Sequence, residues 1–302
     1  MQHDLDWLRV RRAAQLRRRR RRAFALGLLA AMLGVVALGV SEGASHRSLP
    51  KAAGLAPSPH FVVPRGSRLA AQLAAVRRLA AHGLPLYCGG RKRRMVALTF
   101  DDGPGPYTRL AIKQLRRKRL HATFFLVGKQ IRAYQRLAGR EKSFAAVGDH
   151  TMTHPFLPAL SHAAMVREIV AARTVIERAA DQPVIVFRPP YEAHTPAIDR
   201  EVRALGMLEV LWNVDSADSL GANYARIERN VVSGLAPGSI ILMHENRGQT
   251  IRALPVIFAA LSRRHLQAVT VPELVAADPP SLRQLRSGER GCAVVADIGT
   301  GT

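Results

Sequence analysis

The chain is short of acid: its 302 residues carry 22 Asp and Glu against 45 Lys and Arg, a formal net charge of +23. It has two cysteines, 5% aromatic residues and no internal repeat. Each shortage narrows the reading. The lack of a repeat excludes solenoid and propeller arrays. Two cysteines, Cys88 and Cys292, allow one disulfide at most; on an exported domain it would join the two ends. No basic stretch of the main domain is interleaved with aromatics, so a nucleic-acid partner is not expected.

The positive charge is uneven. Residues 1–22 hold nine arginines against Asp4 and Asp6 and end in an unbroken run from Arg17 to Arg22. Residues 23–40 follow without a charge or a proline. Eighteen residues of helix rise about 27 Å, enough to cross a bilayer core of about 30 Å. Arginines on one side and the polar stretch SEGASHRS on the other satisfy the positive-inside rule. Residues 1–22 therefore read as a basic cytoplasmic tail that meets anionic lipid headgroups, and 23–40 as a membrane anchor. A cleaved signal sequence is the competing reading; the run is long for one, and no A-x-A site follows it. On either reading the remaining chain is exported. Residues 41–92 read as a Pro-rich and Ala-rich stalk ending in an amphipathic helix, 93–278 as the main domain, and 279–302 as a C-terminal tail.

Within the main domain short apolar runs alternate with longer amphipathic ones. The runs at 95–100, 122–127, 144–147, 184–187, 207–214, 239–243 and 267–271 read as strands. Those at 107–119, 163–180, 196–205, 224–235 and 251–264 read as helices. This alternation predicts an α/β fold of buried parallel strands, a barrel or doubly wound sheet, with its site at the strands' carboxyl ends.

Several strand ends carry chemistry. Asp101 and Asp102 close the first, where two adjacent carboxylates repel unless a cation joins them. Opposed side chains on an extended segment would let one ligate a metal and the other act as a base. His150 and His154 in HTMTH offer two imidazoles four residues apart, with Pro155 biasing the pair toward a turn. An Asp and two His leave coordination positions open, the mark of a catalytic rather than a structural metal. Further along stand Arg188 in a stiff Pro-Pro loop, Asp215, Asp218, and His244 beside Glu245.

TFDDGP at 99–104, HTMTH at 150–154, RPPY at 188–191, DSAD at 215–218 and LMH at 242–244 resemble, in order and spacing, the motifs of the NodB-homology polysaccharide deacetylases, carbohydrate esterase family 4. ATFFLVG at 122–128 is similar to that family's second strand. The resemblance implies a distorted (β/α) barrel and removal of N-acetyl groups from an N-acetylated glycan. It implies a divalent metal, usually zinc with cobalt or another ion as alternatives, on Asp102, His150 and His154. Asp101 would be the general base oriented by Arg188, and His244 the general acid tuned by Asp218. The Tyr191 backbone N–H would bind the oxyanion, and Leu242 would line the acetyl pocket. Glu192 replaces a usual glycine and Ser219 a usual tryptophan, while Asp149 is a candidate acceptor for a ligating imidazole. A catalytically retired glycan-binding protein and an O-acetyl esterase of the xylan type are the alternatives. The sequence is silent on oligomeric state.

Overall fold

Strand β1 (Met95–Gly103) is buried along almost its whole length, as its apolar run predicts. A computed structural model describes residue 61, residues 63–138 and residues 145–292 of the chain. In it, Val96, Leu98 and Phe100 of β1 face a core shared with the helices, while Ala97 belongs to a second core inside the curl of the sheet. Thr99 and Asp101 share the parity of Ala97 and so face inward.

On one side of β1 runs β2 (Ala122–Leu126), followed outward by β3 (Ala145–Asp149), β4 (Val186–Phe187) and β5 (Leu208–Glu209). On the other run β7 (Ile240–His244) and β6 (Val214–Asp215), and β8 (Gln267–Val269) pairs with the first residues of β1. Every pairing is parallel, which gives a curled half-barrel with helical crossovers. Register places His244 directly beside Asp101, and Leu242 beside Thr99.

Nine helices are described, α1 (Arg68–Ala80), α2 (Thr108–Lys118), α3 (Gly128–Ala138), α4 (His162–Ala180), α5 (Pro196–Ala204), α6 (Tyr224–Gly234), α7 (Gly248–Arg263), α8 (Val271–Ala277) and α9 (Leu282–Arg286). Their starts follow from capping chemistry. Ser161, Thr195 and Asn223 each accept a backbone N–H with a side-chain oxygen, and Thr270 forms a reciprocal capping box with Glu273. α1 carries Leu73, Val76 and Leu79 into the inner core beside Leu274 and Val275 of α8. Cys88 is bonded to Cys292 across 204 residues of sequence, and Leu285 of α9 is buried nearby in the chain.

Three sequence expectations change. The run 207–214 is not one strand; it supplies β5 and β6, which stand at opposite ends of the sheet order. The reason is local: the carbonyls of Val210 and Leu211 accept hydrogen bonds from the Arg188 side chain, at 3.0 and 3.2 Å, and leave the strand ladder. The last apolar run also ends early, because Thr270 caps α8 and Val271 is already helical. Helix α3 has no counterpart in the alternation read above; its sequence GKQIRAYQRLA is largely polar, and Tyr134 interrupts it with φ −126°. Among the described residues no helix is long and apolar enough to cross a membrane. The apolar stretch 23–40 lies outside the described residues.

Candidate active site

The carboxyl end of β1 does not continue as ideal strand. Its pairing register with β2 shifts between Asp101 and Gly103, and Asp102 takes a left-handed φ of 67°. This bulge corrects the expectation that the two carboxylates point to opposite sides. Asp101 Oδ2 lies 3.8 Å and Asp102 Oδ1 3.6 Å from the same atom, His150 Nε2. A bulge re-aims a side chain at the edge of a ladder.

His150 leaves the end of β3, and the following loop is a turn rather than a helix. Thr151 and His154 both have positive φ, 69° and 64°. The turn is closed internally: the Thr151 N–H donates to Asp149 Oδ1 at 2.7 Å, and the His154 N–H to Thr151 Oγ1 at 3.0 Å. Glu168 of α4 clips it from outside by accepting from the Thr153 N–H and hydroxyl. As a result His154 Nε2 approaches Asp102 Oδ1 to 3.2 Å. Asp102, His150 and His154 each offer one ligating atom, all within 4.8 Å of one another. Asp149 is not the acceptor for His150; that Nδ1 faces the Arg188 carbonyl at 2.7 Å instead. Burial pushes the Asp149 carboxyl well above the usual range, against the hydrogen bond from Thr151.

Burial also lowers the His150 pKa to about 4, outweighing the attraction of Asp101, so its imidazole is neutral at ordinary pH. Asp102 behaves oppositely. Burial raises its pKa, but the hydrogen bond from His154 and the positive charge of His244 hold it far below the usual carboxylate range. A neutral imidazole and an ionised carboxylate are the donor states a divalent metal takes.

Arg188 is fully buried and spends every nitrogen. Nη1 donates to Asp101 Oδ1 at 2.7 Å and to Thr99 Oγ1 at 2.8 Å, while Nε and Nη2 take the carbonyls of Val210 and Leu211. Its guanidinium lies 4.1 Å from the Phe125 ring centroid and 5.4 Å from that of Trp212. Such a cage holds Asp101 in one orientation.

His244 closes the opposite side. Asp218 Oδ1 lies 2.7 Å from His244 Nδ1, and Oδ2 accepts the His244 N–H at 2.7 Å and the Thr250 hydroxyl at 2.5 Å. Ser219, where an aromatic was expected, donates its N–H to the same carboxylate at 2.7 Å. Burial alone would lower the imidazole pKa, but the charge and hydrogen bond of Asp218 raise it to about 9. Its free Nε2 lies 4.0 Å from Asp102 Oδ2.

Tyr191 stands on a 3-10 turn with φ 62°, and Glu192 follows at φ 58°. The Tyr191 hydroxyl reaches His154 Nδ1 at 3.2 Å, which orients that ring as the Arg188 carbonyl orients His150. The Tyr191 N–H donates to no backbone carbonyl among the described residues. Leu242 is buried on the inner face of β7. Phe156, 42% exposed, lies with its ring 6.4 Å from that of Tyr191 and gives the site an apolar rim.

Sequence reading missed Thr99, Thr250, Phe156 and the depth of Glu245. Thr99 sits inside the TFDDGP motif, and inward parity with Asp101 was the available signal; Thr250 lies on α7 and left none. Glu245 is fully buried under Gly103, and neither carboxylate oxygen has a hydrogen-bond partner among the described residues. Burial, with the charges of Asp102 and Asp101 adding to it, raises its pKa to about 8.

Parallel half-barrel, inward carboxylates and an Asp-His-His cluster together define a carbohydrate-deacetylase class of hydrolase. Residues 89–210 match the polysaccharide deacetylase family. The chain is 32% identical over 198 residues to a chitooligosaccharide deacetylase of Bradyrhizobium sp. (strain ANU 289), covering 60% of this chain and 90% of that one. It is 31% identical over 189 residues to a peptidoglycan-N-acetylglucosamine deacetylase of Bacillus cereus, covering 60% and 88%. The crystal structure of a CE4-family pseudoenzyme from Bacillus anthracis superposes with a TM-score of 0.60 at 27% identity, over 63% of this chain and 68% of that one. The chain belongs to the polysaccharide deacetylase family, and it is a hydrolase of carbohydrate acetyl groups.

Proposed function

We propose that this protein removes N-acetyl groups from a cell-envelope glycan, the GlcNAc or MurNAc of peptidoglycan, as a metal-dependent hydrolase. The observation that carries the reading is the convergence of Asp101, Asp102, His150 and His154 within one strand-end cleft, with Arg188 and the His244–Asp218 pair on its flanks. A divalent ion fits Asp102, His150 and His154. Two Nε2 atoms and one carboxylate oxygen converge, the second nitrogen of each ring has its own oxygen neighbour, and three protein donors suit a catalytic zinc or cobalt ion. Such an ion, when bound, acidifies water and polarises an amide carbonyl.

The remaining work falls to the chain itself. Asp101, aimed by Arg188, takes the proton of the attacking water. The Tyr191 N–H donates to the oxyanion that develops on the acetyl carbonyl. His244, protonated because Asp218 raises its pKa to about 9, gives its Nε2 proton to the departing sugar nitrogen, which otherwise leaves poorly. Leu242 lines the pocket for the acetyl methyl, and Phe156 with Tyr191 offers a face for a sugar ring. Acetate and a free amino sugar are the products.

Residues 23–40 hold the chain in the cell membrane in this reading, with the catalytic domain outside the cytoplasm. A tether from 41 to the first described residues keeps that domain within tens of ångströms of the bilayer, about the reach of a ~20-residue linker. Acetate release from purified peptidoglycan and from chitooligosaccharides tests the substrate. Release from peptidoglycan is expected, and release from chitooligosaccharides alone contradicts it.

A further inference from the structure

A second cluster of metal-binding residues stands apart from the catalytic one. His194 follows the 3-10 turn that bears Tyr191, Asp199 lies in the first turn of α5, and Glu209 ends β5. His194 Nδ1 is 3.2 Å from Asp199 Oδ1 and 3.8 Å from Glu209 Oε1, and the three ligating atoms lie within 4.8 Å of one another.

Glu209 is the unexplained member. It is 4% exposed, and among the described residues neither of its carboxylate oxygens has a hydrogen-bond partner. A carboxylate withdrawn from water without partners is strongly disfavoured. Something must compensate it. Arg203 lines the same small cavity as Asp199 and Glu209, yet forms no ion pair with either among the described residues. That cavity, about 10 Å³ and not lined by His194, has room for roughly one water beside the two carboxylates. Burial and the adjacent Asp199 push the Glu209 carboxyl well above its ordinary range, as expected for an acid awaiting either a proton or a cation.

We infer that His194, Asp199 and Glu209 form a second site for a divalent first-row metal ion, which clamps the Tyr191 turn to the end of β5. One imidazole and two carboxylates form a mixed nitrogen and oxygen donor set, which suits Zn2+ or Mn2+. The ion would take His194 at Nδ1, the atom that faces both carboxylates. His194 Nε2–H is then free to donate to the Tyr87 hydroxyl, 3.5 Å away, an outer contact that sets the tautomer. The ion neutralises Asp199 and Glu209 together. Because His194 lies three residues beyond Tyr191, its anchorage limits how far the Tyr191 N–H can move.

The site is tested separately from the catalytic one. The full-length protein with His150→Ala and His154→Ala is stripped with a chelator, loaded with Zn2+ or Mn2+ and desalted, and its metal is counted by mass spectrometry. One equivalent per chain is expected in this double variant and two in the wild type. Adding His194→Ala or Glu209→Gln to the double variant should remove the remaining equivalent while the far-UV circular dichroism stays unchanged. If Glu209→Gln unfolds the chain, the partly exposed His194→Ala carries the test, supported by loss of one of the two Co2+ absorption titrations when it is introduced alone into the wild type. A double variant that retains no metal overturns the inference, as does an equivalent unaffected by both substitutions; the shared proton between Asp199 and Glu209 is then the answer. Neither readout depends on deacetylation, so a failed substrate assignment leaves this test intact.

Discussion

Asp218→Asn isolates the proton donor. Asp218 contacts His244 twice, through ring and backbone, and its charge is the main force that raises the imidazole pKa from an ordinary 6.5 to about 9. A rise of about 2.5 units corresponds to roughly 3 kcal/mol favouring the protonated ring, at 1.36 kcal/mol per unit. Asparagine keeps the shape and an acceptor oxygen but removes the charge. Burial, which lowers the pKa, is then opposed only by the charges of Asp102 and Asp101, and the ring should deprotonate well below about 9. A bound cation lowers the His244 pKa in both proteins, so the difference between them is the quantity to read. The assay is kcat/KM for acetate release from about pH 6 to about pH 10 at saturating metal. Activity limited by a protonated acid falls as pH rises; the alkaline limb in the variant should lie about two units below that of the wild type. Stability gives a parallel readout. Because the folded pKa is raised, the His244 contribution is complete below about pH 6.5 and is lost as pH climbs through about 9. The variant should lack that slope. An alkaline limb that does not move with Asp218→Asn refutes the role of His244 as acid.

Arg188→Met removes one partner of a fully buried ion pair and should destabilise the fold by about 3–5 kcal/mol in denaturant unfolding, with loss of acetate release. Gly103→Ala would place a Cβ 1.4 Å from Glu245 Oε1, a buried atom with nowhere to retreat; overpacking of about 1–3 kcal/mol or more is expected in the same measurement, and loss of activity with it. Joint Cys88→Ser and Cys292→Ser opens a loop spanning 204 residues, for which chain entropy gives a loss of up to ~5 kcal/mol, read as a lower Tm.

The fold was legible where burial is two-sided. Runs such as MVALTF and ATFFL are continuously apolar because helices cover one face and the inner core the other, and their order announced a parallel sheet. The run 207–214 misled for the same reason: its residues are all buried or nearly so, whether they pair in a ladder or give carbonyls to Arg188. Periodicity reports burial, not hydrogen-bond partners. At the site, residue types and strand ends were readable, while directions were not. Positive φ at Asp102, Thr151, His154, Tyr191 and Glu192 turns side chains where regular strand or helix would not. None of these is glycine, so apart from Pro155 after His154 no residue type signalled the turns. The His194, Asp199 and Glu209 cluster was equally invisible, since its members come from a loop, a helix start and a strand end that only the fold brings together.

The central claim is that Asp102, His150 and His154 hold the ion on which acetate release depends. It is tested most directly by measuring bound metal at the catalytic site and acetate release together, in the wild type and in His150→Ala. Wild type should bind the ion and release acetate from an N-acetylated glycan, and His150→Ala should lose one equivalent of metal and the activity together. A His150→Ala protein that keeps its full metal content, or one that still releases acetate at the wild-type rate, contradicts the account.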